Sequence, residues 1–263
     1  MSHFSSVDTS PEPSALIDSL DRTAVGLGAM KRYVAYRLAL LTDEGWVLDI
    51  GCGAGHDLAL LTHEGCEPVG VDASAVMLTE TRRRCSAPLV RSVGERLPFR
   101  ASTFDGCRIE RVLMHADDPR RVLEEVRRVL RPGGFIAVFE PDWTSLRLDT
   151  VLGAARSIPA ALSRCQWPDI GGALADLVEE VGFEIVDEVT EASRCGALQR
   201  VPLDVDALLQ RAVDERRIDR GLAVAWLAEQ RARDAAGTFR ARWKKHLIVA
   251  WAPPSSPSRA PAR

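Results

Sequence analysis

The chain has 263 residues, of which 46% are hydrophobic and 27% charged, a composition typical of soluble globular proteins. A formal net charge of −3 gives no overall basic field for binding nucleic acid, and no apolar run approaches membrane-spanning length. The first residues are rich in Ser, Pro and acid and lack the basic and apolar parts of a secretory signal, so we expect a cytoplasmic protein.

Helix-like and strand-like segments alternate along the first half of the chain. Residues 14–41 carry apolar positions at helical spacing. The segments after them are predicted as strand Trp46–Ile50, helix His56–Glu64, strand Pro68–Val71, helix Ala75–Arg84, strand Leu89–Val93, strand Phe104–Glu110, helix Asp118–Leu130 and strand Phe135–Glu140. Such alternation is typical of βαβ units with a parallel sheet covered on both faces.

The rest of the chain completes one domain. Its predicted elements are helix 170–181, strand Phe183–Val189, the helical segment Asp204–Ala235 and strand Lys245–Trp251. Because 204–235 interrupts the alternation, we expect it and residues 14–41 to act as helical caps. Residues 1–13 and 253–263 are rich in Pro and Ser and are predicted to be disordered tails, which leaves a single domain at 14–252. The predicted fold is α/β and Rossmann-like: a doubly wound, mostly parallel seven-stranded sheet with helices on both faces and a helical cap.

Three alternating glycines follow the first predicted strand, in the sequence VLDIGCGAGHD. Glycine permits positive φ and lets a ligand approach the backbone closely. Gly51, Gly53 and Gly55 also lie where open α/β sheets bind ligands, at the carboxyl end of a strand. A tight strand-to-helix turn is the simpler explanation, but we favour contact with a ligand.

The glycine spacing indicates which ligand. Dinucleotide sites use Gly-x-Gly-x-x-Gly, whereas here His56 occupies the last glycine position and Asp57 follows it. An acidic side chain at a helix start repels phosphate, which disfavours a nicotinamide-dependent reductase and favours a nucleoside without pyrophosphate. Asp72 ends the second strand, 21 positions after Gly51, where a carboxylate can accept from ribose hydroxyls. Its alternative role is to cap the helix that follows.

At this point the chain resembles the class I S-adenosylmethionine-dependent methyltransferases, and among them the bacterial small-molecule enzymes related to quinone and sterol C-methyltransferases. The stretches that carry the resemblance run in order and read VLDIGCGAGHD, GVDASAVML, VGERLPF, FDGCRIERVLMHADDP and VLEEVRRVLRPGGFIAVFEPDW. The resemblance implies S-adenosylmethionine as cofactor and S-adenosylhomocysteine as product.

The resemblance also implies a set of cofactor-binding residues. They are Asp49 for support of the loop, Gly51, Gly53 and Gly55 under methionine and ribose, Asp72 for the ribose hydroxyls, Ala73 and Met77 against adenine, Gly94 and Glu95 at the adenine edge, and Glu110 and Arg111 at the methionine end. One position departs from the family pattern, because Val93 stands where relatives often carry an Asp that accepts from the adenine amino group.

His115 is the candidate catalytic residue. It follows the fourth strand, where the methyl group should project, and a histidine near neutral pKa suits a general base. A structural role in the loop is the alternative. Glu140, Asp142 and Trp143 follow the fifth strand on the same edge, and Trp143 is either a wall for the substrate or part of the core. Further aromatic candidates for the lining of the substrate site are Tyr33, Tyr36, Trp167, Trp226, Phe239 and Trp243.

The function predicted from these features is methyl transfer to a small organic acceptor in specialised metabolism, with carbon or oxygen favoured over nitrogen. A cofactor-binding protein that transfers no methyl, either a cyclase or a regulatory scaffold, is the alternative. The cysteines and histidines are scattered, so we expect no metal. We also expect no nucleic-acid or membrane partner, and either a monomer or a homodimer.

Overall fold

The computed structural model describes residues 7, 8, 14, 17, 18, 21, 28–158, 165–201 and 205–254. The described α-helices are α1 Gly28–Thr42, α2 His56–His63, α3 Ala75–Arg84, α4 Pro119–Val129, α5 Ile170–Glu180, α6 Val205–Asp214 and α7 Arg220–Ala235. The strands are β1 Trp46–Ile50, β2 Glu67–Asp72, β3 Leu89–Arg91, β4 Phe104–Glu110, β5 Leu130–Leu148, β6 Glu184–Cys195 and β7 Ala241–Trp251. Short 3₁₀ helices lie at Leu113–His115, Gly153–Ser157 and Leu198–Arg200.

The strands form one seven-stranded sheet in the order β3-β2-β1-β4-β5-β7-β6. The first five strands in chain order pair in parallel, whereas β7 runs antiparallel to both β5 and β6. The predicted Rossmann-like, mostly parallel seven-stranded sheet is therefore confirmed. The strand order reverses between β1 and β4, so the carboxyl ends of these two strands flank the crevice in which open sheets bind ligands.

Helices cover the sheet on two faces, as the alternation of side chains along each strand requires. Val47 of β1 packs with Leu38 of α1 and Phe139 of β5 in one buried cluster. Its neighbour Leu48 points the other way and joins the larger cluster that includes Val122 of α4. The same alternation places Asp49 on the α1 face, at the carboxyl end of β1.

The last strands differ from their predicted bounds. β5 runs eight residues beyond Glu140, and β7 begins at Ala241 rather than Lys245. The two extensions pair with each other around an irregularity between Asp142 and Arg147. Both extensions carry charged residues between the apolar ones, Arg147 in β5 and Arg242 and Lys244 in β7, so the apolar runs from which the strands were predicted end before them.

The helical segment predicted at 204–235 is two helices. Arg216 adopts a left-handed conformation with φ of 58°, and Asp219 caps α7 by accepting from the amide of Leu222. Gln230 of α7 donates to the carbonyl of Asp149, so this helix packs at the far end of β5. No helix in the described part of the chain is both long and apolar enough to span a bilayer.

Candidate functional site

The glycine loop leaves β1 with three left-handed residues. Gly51, Gly53 and Gly55 have φ of 68°, 51° and 85°, values that side-chain-bearing residues adopt only at a cost. A Cβ on Gly51 would lie 2.4 Å from Val112 Cγ2, and one on Gly55 would lie 2.7 Å from Thr81 Cγ2. Close packing and positive φ therefore both require these two glycines, and the loop is fixed in place whatever it binds.

Asp72 joins the glycine loop to the end of β2. One of its carboxylate oxygens accepts from the amide of Gly53 at 2.9 Å, and the other accepts from the amide of Ser74 at 2.8 Å. Burial raises the pKa of Asp72, and the amide hydrogen bonds oppose that rise. Ser74, not Asp72, is the N-cap of α3, because its hydroxyl accepts from the amide of Met77.

The start of α3 is in contact with the amino-terminal part of the chain. Asp8 accepts from the hydroxyl of Ser74 at 2.5 Å and pairs with Arg91 at 2.9 Å. The carbonyl of Ala73 accepts from Arg91 Nε, and Met77 is buried. These contacts place the predicted adenine residues Ala73 and Met77 beside the end of β2, close to Asp72.

The predicted adenine-edge residues have protein partners of their own. A Cβ on Gly94 would lie 3.1 Å from Val122, and Glu95 accepts from the amide of Asp117 at 2.8 Å. Val93 is 46% exposed, so its side chain is not needed by the core. Glu95 thus links the segment after β3 to the segment after β4, which carries His115.

A buried group of charges lies behind the glycine loop. Arg108, in the middle of β4, forms ion pairs with Asp49 at 2.9 Å, with Asp57 at 2.9 Å and with Glu110. Lys31 of α1 pairs with Asp57 at 2.6 Å and with Glu110 at 2.8 Å. Three carboxylates and two cations are thereby packed together, which ties α1, β1, α2 and β4 into one unit.

The charges in this group shift one another's pKa values. Burial raises the pKa of Asp49 to about 6, although Arg108 opposes the rise. Burial acts in the same direction on Asp57, but Arg108 and Lys31 outweigh it and hold the pKa of Asp57 below its usual value. Asp57 is therefore ionised at the start of α2, where a dinucleotide fold would bind pyrophosphate, which supports the nucleoside interpretation.

Three buried polar atoms in or beside this group lack hydrogen-bond partners within the described residues. They are the acceptors Asp49 Oδ2 and Asp57 Oδ1 and the donor Arg111 Nε, and of these Asp57 Oδ1 has an ion pair with Arg108 at 2.9 Å. Arg111 has φ of 55°, and its Nε lies 3.8 Å from Glu110, too far for a hydrogen bond. Asp49 lies near the end of β1, and Arg111 directly follows β4. A bound zwitterion could donate to Asp49 Oδ2 through its ammonium group and accept from Arg111 Nε through its carboxylate.

Glu140 holds the segment that follows β4. It is fully buried within β5, next to the carboxyl end of β4, and its Oε1 accepts from the amides of Val112 at 2.8 Å and Leu113 at 2.7 Å. Its Oε2 has no hydrogen-bond partner within the described residues. Burial raises the pKa of Glu140 to about 8, against the effect of these amides. The carboxyl group is therefore largely neutral near pH 7.

His115 ends the 3₁₀ helix that Glu140 holds. The amide of Trp167 donates to the carbonyl of Met114, and its indole N–H donates to the carbonyl of Ala116 at 2.9 Å. Trp143 donates its indole N–H to Met114 Sδ and is 5% exposed. The His115 segment is thus fixed from two sides, with the partly exposed Trp167 next to it.

The aromatic candidates divide into core and surface residues. Trp143 stacks on Trp243 with ring centroids 6.1 Å apart, so it belongs to the core. Trp226 and Phe239 are also buried in that core. The remaining candidates are at least partly exposed, namely Tyr33, which donates to Asp187 at 2.6 Å, Tyr36 and Trp167. Of the whole set, only Trp167 both contacts the His115 segment and keeps an exposed surface.

The unpaired polar atoms and the glycine loop of this site fit the chemical groups of S-adenosylmethionine. The unsatisfied Asp49 Oδ2 and Arg111 Nε match the ammonium and carboxylate of a methionyl group. Gly51, Gly53 and Gly55 carry no Cβ, which lets a ligand approach their backbone closely. When bound, the cofactor supplies an electrophilic methyl group, and the residues around it bind and orient the two reactants.

Lys31, Asp57 and Arg108 are the residues that the sequence did not predict for this site. Arg108 gave a signal, because an arginine within the otherwise apolar run from Gly106 to Ile109 must find partners when buried. Lys31 gave a weaker one as one of only three lysines in the chain. The sequence alone did not indicate which carboxylates would pair with Arg108 or Lys31.

Comparison with known proteins agrees with this geometry. The family model described as a methyltransferase domain matches residues 48–138. An uncharacterised 37.1 kDa protein in transposon Tn4556 of Streptomyces fradiae is 35% identical over 220 residues, covering 79% of this chain and 62% of that protein. A demethylmenaquinone methyltransferase of Corynebacterium kroppenstedtii is 39% identical over 158 residues, covering 53% of this chain and 68% of that enzyme. The chain thus spans about six tenths of the length of the Streptomyces protein.

Solved structures share the fold at low identity. A chain from the solved complex between the Trm112 methyltransferase activator of Haloferax volcanii and its candidate methyltransferase has a TM-score of 0.57 at 18% identity, with 97% of this chain and 99% of that chain covered. The [4+2]-cyclase SpnF has a TM-score of 0.52 at 18% identity, with 85% of this chain and 82% of that chain covered. With the family match and the Corynebacterium relative, the conclusion is that this chain belongs to the class I S-adenosylmethionine-dependent methyltransferases.

Proposed function

We propose that the chain transfers the methyl group of S-adenosylmethionine to a small organic acceptor in specialised metabolism. The observation that carries the proposal is the pair of unsatisfied buried atoms, Asp49 Oδ2 and Arg111 Nε, beside a loop whose three glycines let a ligand approach the backbone closely. The relative from Corynebacterium kroppenstedtii, by its name, methylates demethylmenaquinone, which supports a small organic acceptor.

The cofactor would lie along the carboxyl ends of β1, β2 and β4. In this proposal Gly51, Gly53 and Gly55 contact the methionine and ribose parts from below. Asp72 accepts from the ribose hydroxyls, since each of its oxygens now accepts one amide hydrogen bond and retains a second lone pair. Ala73 and Met77 flank the adenine, with Gly94 and Glu95 at its edge.

At the methionine end, Asp49 takes the ammonium group and Arg111 takes the carboxylate. Glu110 contributes by holding Lys31 and Arg108 in place, and its oxygens are already engaged with these two cations. The rate of methyl transfer then depends mainly on the alignment of acceptor and methyl group, since the leaving group is part of the cofactor.

His115 is proposed as the general base for acceptors that must lose a proton. The Glu140 contacts to Val112 and Leu113 fix its segment, and Trp167 packs beside it. A histidine so placed can remove a proton from a hydroxyl or an acidic carbon. A purely structural role remains the competing prediction, and His115→Ala separates the two: a base lowers turnover and leaves cofactor affinity unchanged.

The competing function is a cofactor-binding protein that transfers no methyl. The [4+2]-cyclase SpnF has a similar fold, so a protein of this fold can be a cyclase, which supports this competing function. Incubation with methyl-labelled S-adenosylmethionine and a panel of oxygen, nitrogen and carbon acceptors tests the proposal. We expect label in at least one acceptor together with S-adenosylhomocysteine. Tight binding of the labelled compound without any release of S-adenosylhomocysteine would instead support the non-methylating function.

A further inference from the structure

A third buried cation, besides Lys31 and Arg108, lies near the site, on β7. Lys245 pairs in register with Pro141 of β5 and Glu191 of β6, so it lies at the carboxyl edge of the sheet. Its side chain is only 9% exposed, and its Nζ lies 5.7 Å from the ring centroid of Phe139, on the face covered by α1. The preceding residue, Lys244, is exposed, as the alternation along a strand predicts.

Lys245 is poorly neutralised for a buried ammonium group. Its ion-pair partner within the described residues is Glu191, at 3.7 Å, and the Glu191 side chain is 49% exposed. Lys31, in contrast, has two carboxylates within 2.8 Å. Buried charges without close partners are costly, so proteins retain them chiefly where something else completes them.

The charge of Arg111 acts on Lys245, and Arg111 is also incompletely paired. Burial lowers the pKa of Lys245, and the charge of Arg111 lowers it further, while Glu191 and Glu110 oppose both. Arg111 itself lies 3.8 Å from Glu110 without a hydrogen bond from Nε. Lys245 and Arg111 therefore repel each other, and the ion pairs that they form within the described residues are long, 3.7 Å and 3.8 Å.

Lys245 lies on the side of the sheet where we expect the acceptor, away from the predicted adenosine contacts. Lys245 lies opposite Pro141, just beyond the end of β4, with its side chain on the α1 face of the sheet. Glu140, the residue before Pro141, lies on the other face and holds the segment that ends in His115. The predicted adenosine contacts lie on the other side of β1, at the ends of β2 and β3. An anionic group at Lys245 would thus lie on the side of the crevice where the methyl group is to be delivered.

We propose that Lys245 binds an acidic group of the methyl acceptor, while Arg111 binds the carboxylate of the cofactor, so that the substrates of this enzyme are carboxylates or acidic phenols. The proposal rests on the proposed function and adds the class of acceptor to it. A charge-assisted hydrogen bond in a buried site increases affinity by about tenfold or more. The carboxylate of the methionyl group is the other possible source of the anion, and the experiment includes an arm for it.

The test measures binding of benzoate and its neutral analogue benzamide to the full chain saturated with S-adenosylhomocysteine, by calorimetry. We expect benzoate to bind at least tenfold more tightly than benzamide, and Lys245→Met to remove that preference. Lys244→Met is the matched control and should keep it, because that side chain is exposed on the same strand. Lys245→Arg should keep most of the benzoate preference, because arginine retains the positive charge. It controls for a folding defect as the cause of any loss seen in Lys245→Met.

Three results would overturn the proposal. They are equal binding of the two probes, a benzoate preference that survives Lys245→Met, and a tenfold loss of S-adenosylhomocysteine affinity in that variant, which would assign Lys245 to the cofactor. The same titrations without S-adenosylhomocysteine separate this inference from the proposed function. A benzoate preference that depends on Lys245 in a protein that binds no S-adenosylhomocysteine would refute the proposed function alone.

Discussion

Replacement of Arg108 by methionine tests whether the buried charge group holds the site together. Arg108 is 3% exposed and pairs with Asp49, Asp57 and Glu110. Methionine fills much of the same space without the charge. Asp57 and Glu110 keep Lys31, at 2.6 and 2.8 Å, but Asp49 loses its only ion-pair partner within the described residues. Loss of one member of a buried ion pair typically costs about 3–5 kcal/mol, and we expect a free energy of unfolding lowered by that amount at pH 8.

The destabilisation of the Arg108→Met variant should depend on pH, because the pKa of Asp49 decides whether this carboxyl group is charged. The pKa of Asp49 is already about 6 because burial raises it from 3.8, and without Arg108 it rises further. A folded-state pKa above the unfolded value gives stability that is complete below pH 3.8 and is lost as the pH rises through the folded-state pKa. The variant should therefore be less destabilised at pH 5 than at pH 8.

Urea denaturation of the wild type and of Arg108→Met at both pH values measures the effect. The double variant with Asp49→Asn serves as control and should recover part of the loss at pH 8, because the uncompensated carboxylate is gone. A decrease in the free energy of unfolding below about 1 kcal/mol, equal at both pH values, would refute the reasoning, because burial of a carboxylate without its cation destabilises a protein by more than that.

Three further variants test other parts of the site. Gly51→Ala should lower the free energy of unfolding by about 1–3 kcal/mol, because φ is positive and the new Cβ would lie 2.4 Å from Val112; a thermal melt unchanged from wild type would contradict this. Asp72→Ala should weaken S-adenosylhomocysteine binding in calorimetry by about tenfold or more, and equal affinity would reject the ribose role. Glu140→Gln should flatten the dependence of stability on pH between pH 4.5 and about 8, since burial raises the pKa of Glu140 and the wild type loses that stabilisation as the pH rises through this range. An unchanged slope in urea titrations would show that Glu140 is not the titrating group.

The central parallel sheet could be predicted from sequence because its signals are local. β1, β2 and β4 contain short apolar runs, and helix-like segments alternate with them along the chain. The extension of β5 to Leu148 could not be predicted, because the partners that stabilise it come from β7, about a hundred residues later. Cross-strand pairing at such separation leaves no mark on the local pattern.

The glycine loop and Asp72 could be identified as a candidate site because the spacing of glycines and a strand-ending acid is a local motif. The charge group could not, because Lys31, Asp57 and Arg108 come from three separate elements that only the fold brings together. The role of Trp143 was left open for the same reason: its stacking on Trp243 depends on the pairing of β5 with β7.

The most direct test of the account is a crystal structure of the full chain grown with S-adenosylhomocysteine. We predict electron density for the nucleoside across Gly51, Gly53 and Gly55, with the ribose at Asp72 and the methionyl ammonium and carboxylate at Asp49 and Arg111. Density for the compound elsewhere on the molecule, with Asp49 Oδ2 and Arg111 Nε still without partners, would contradict it.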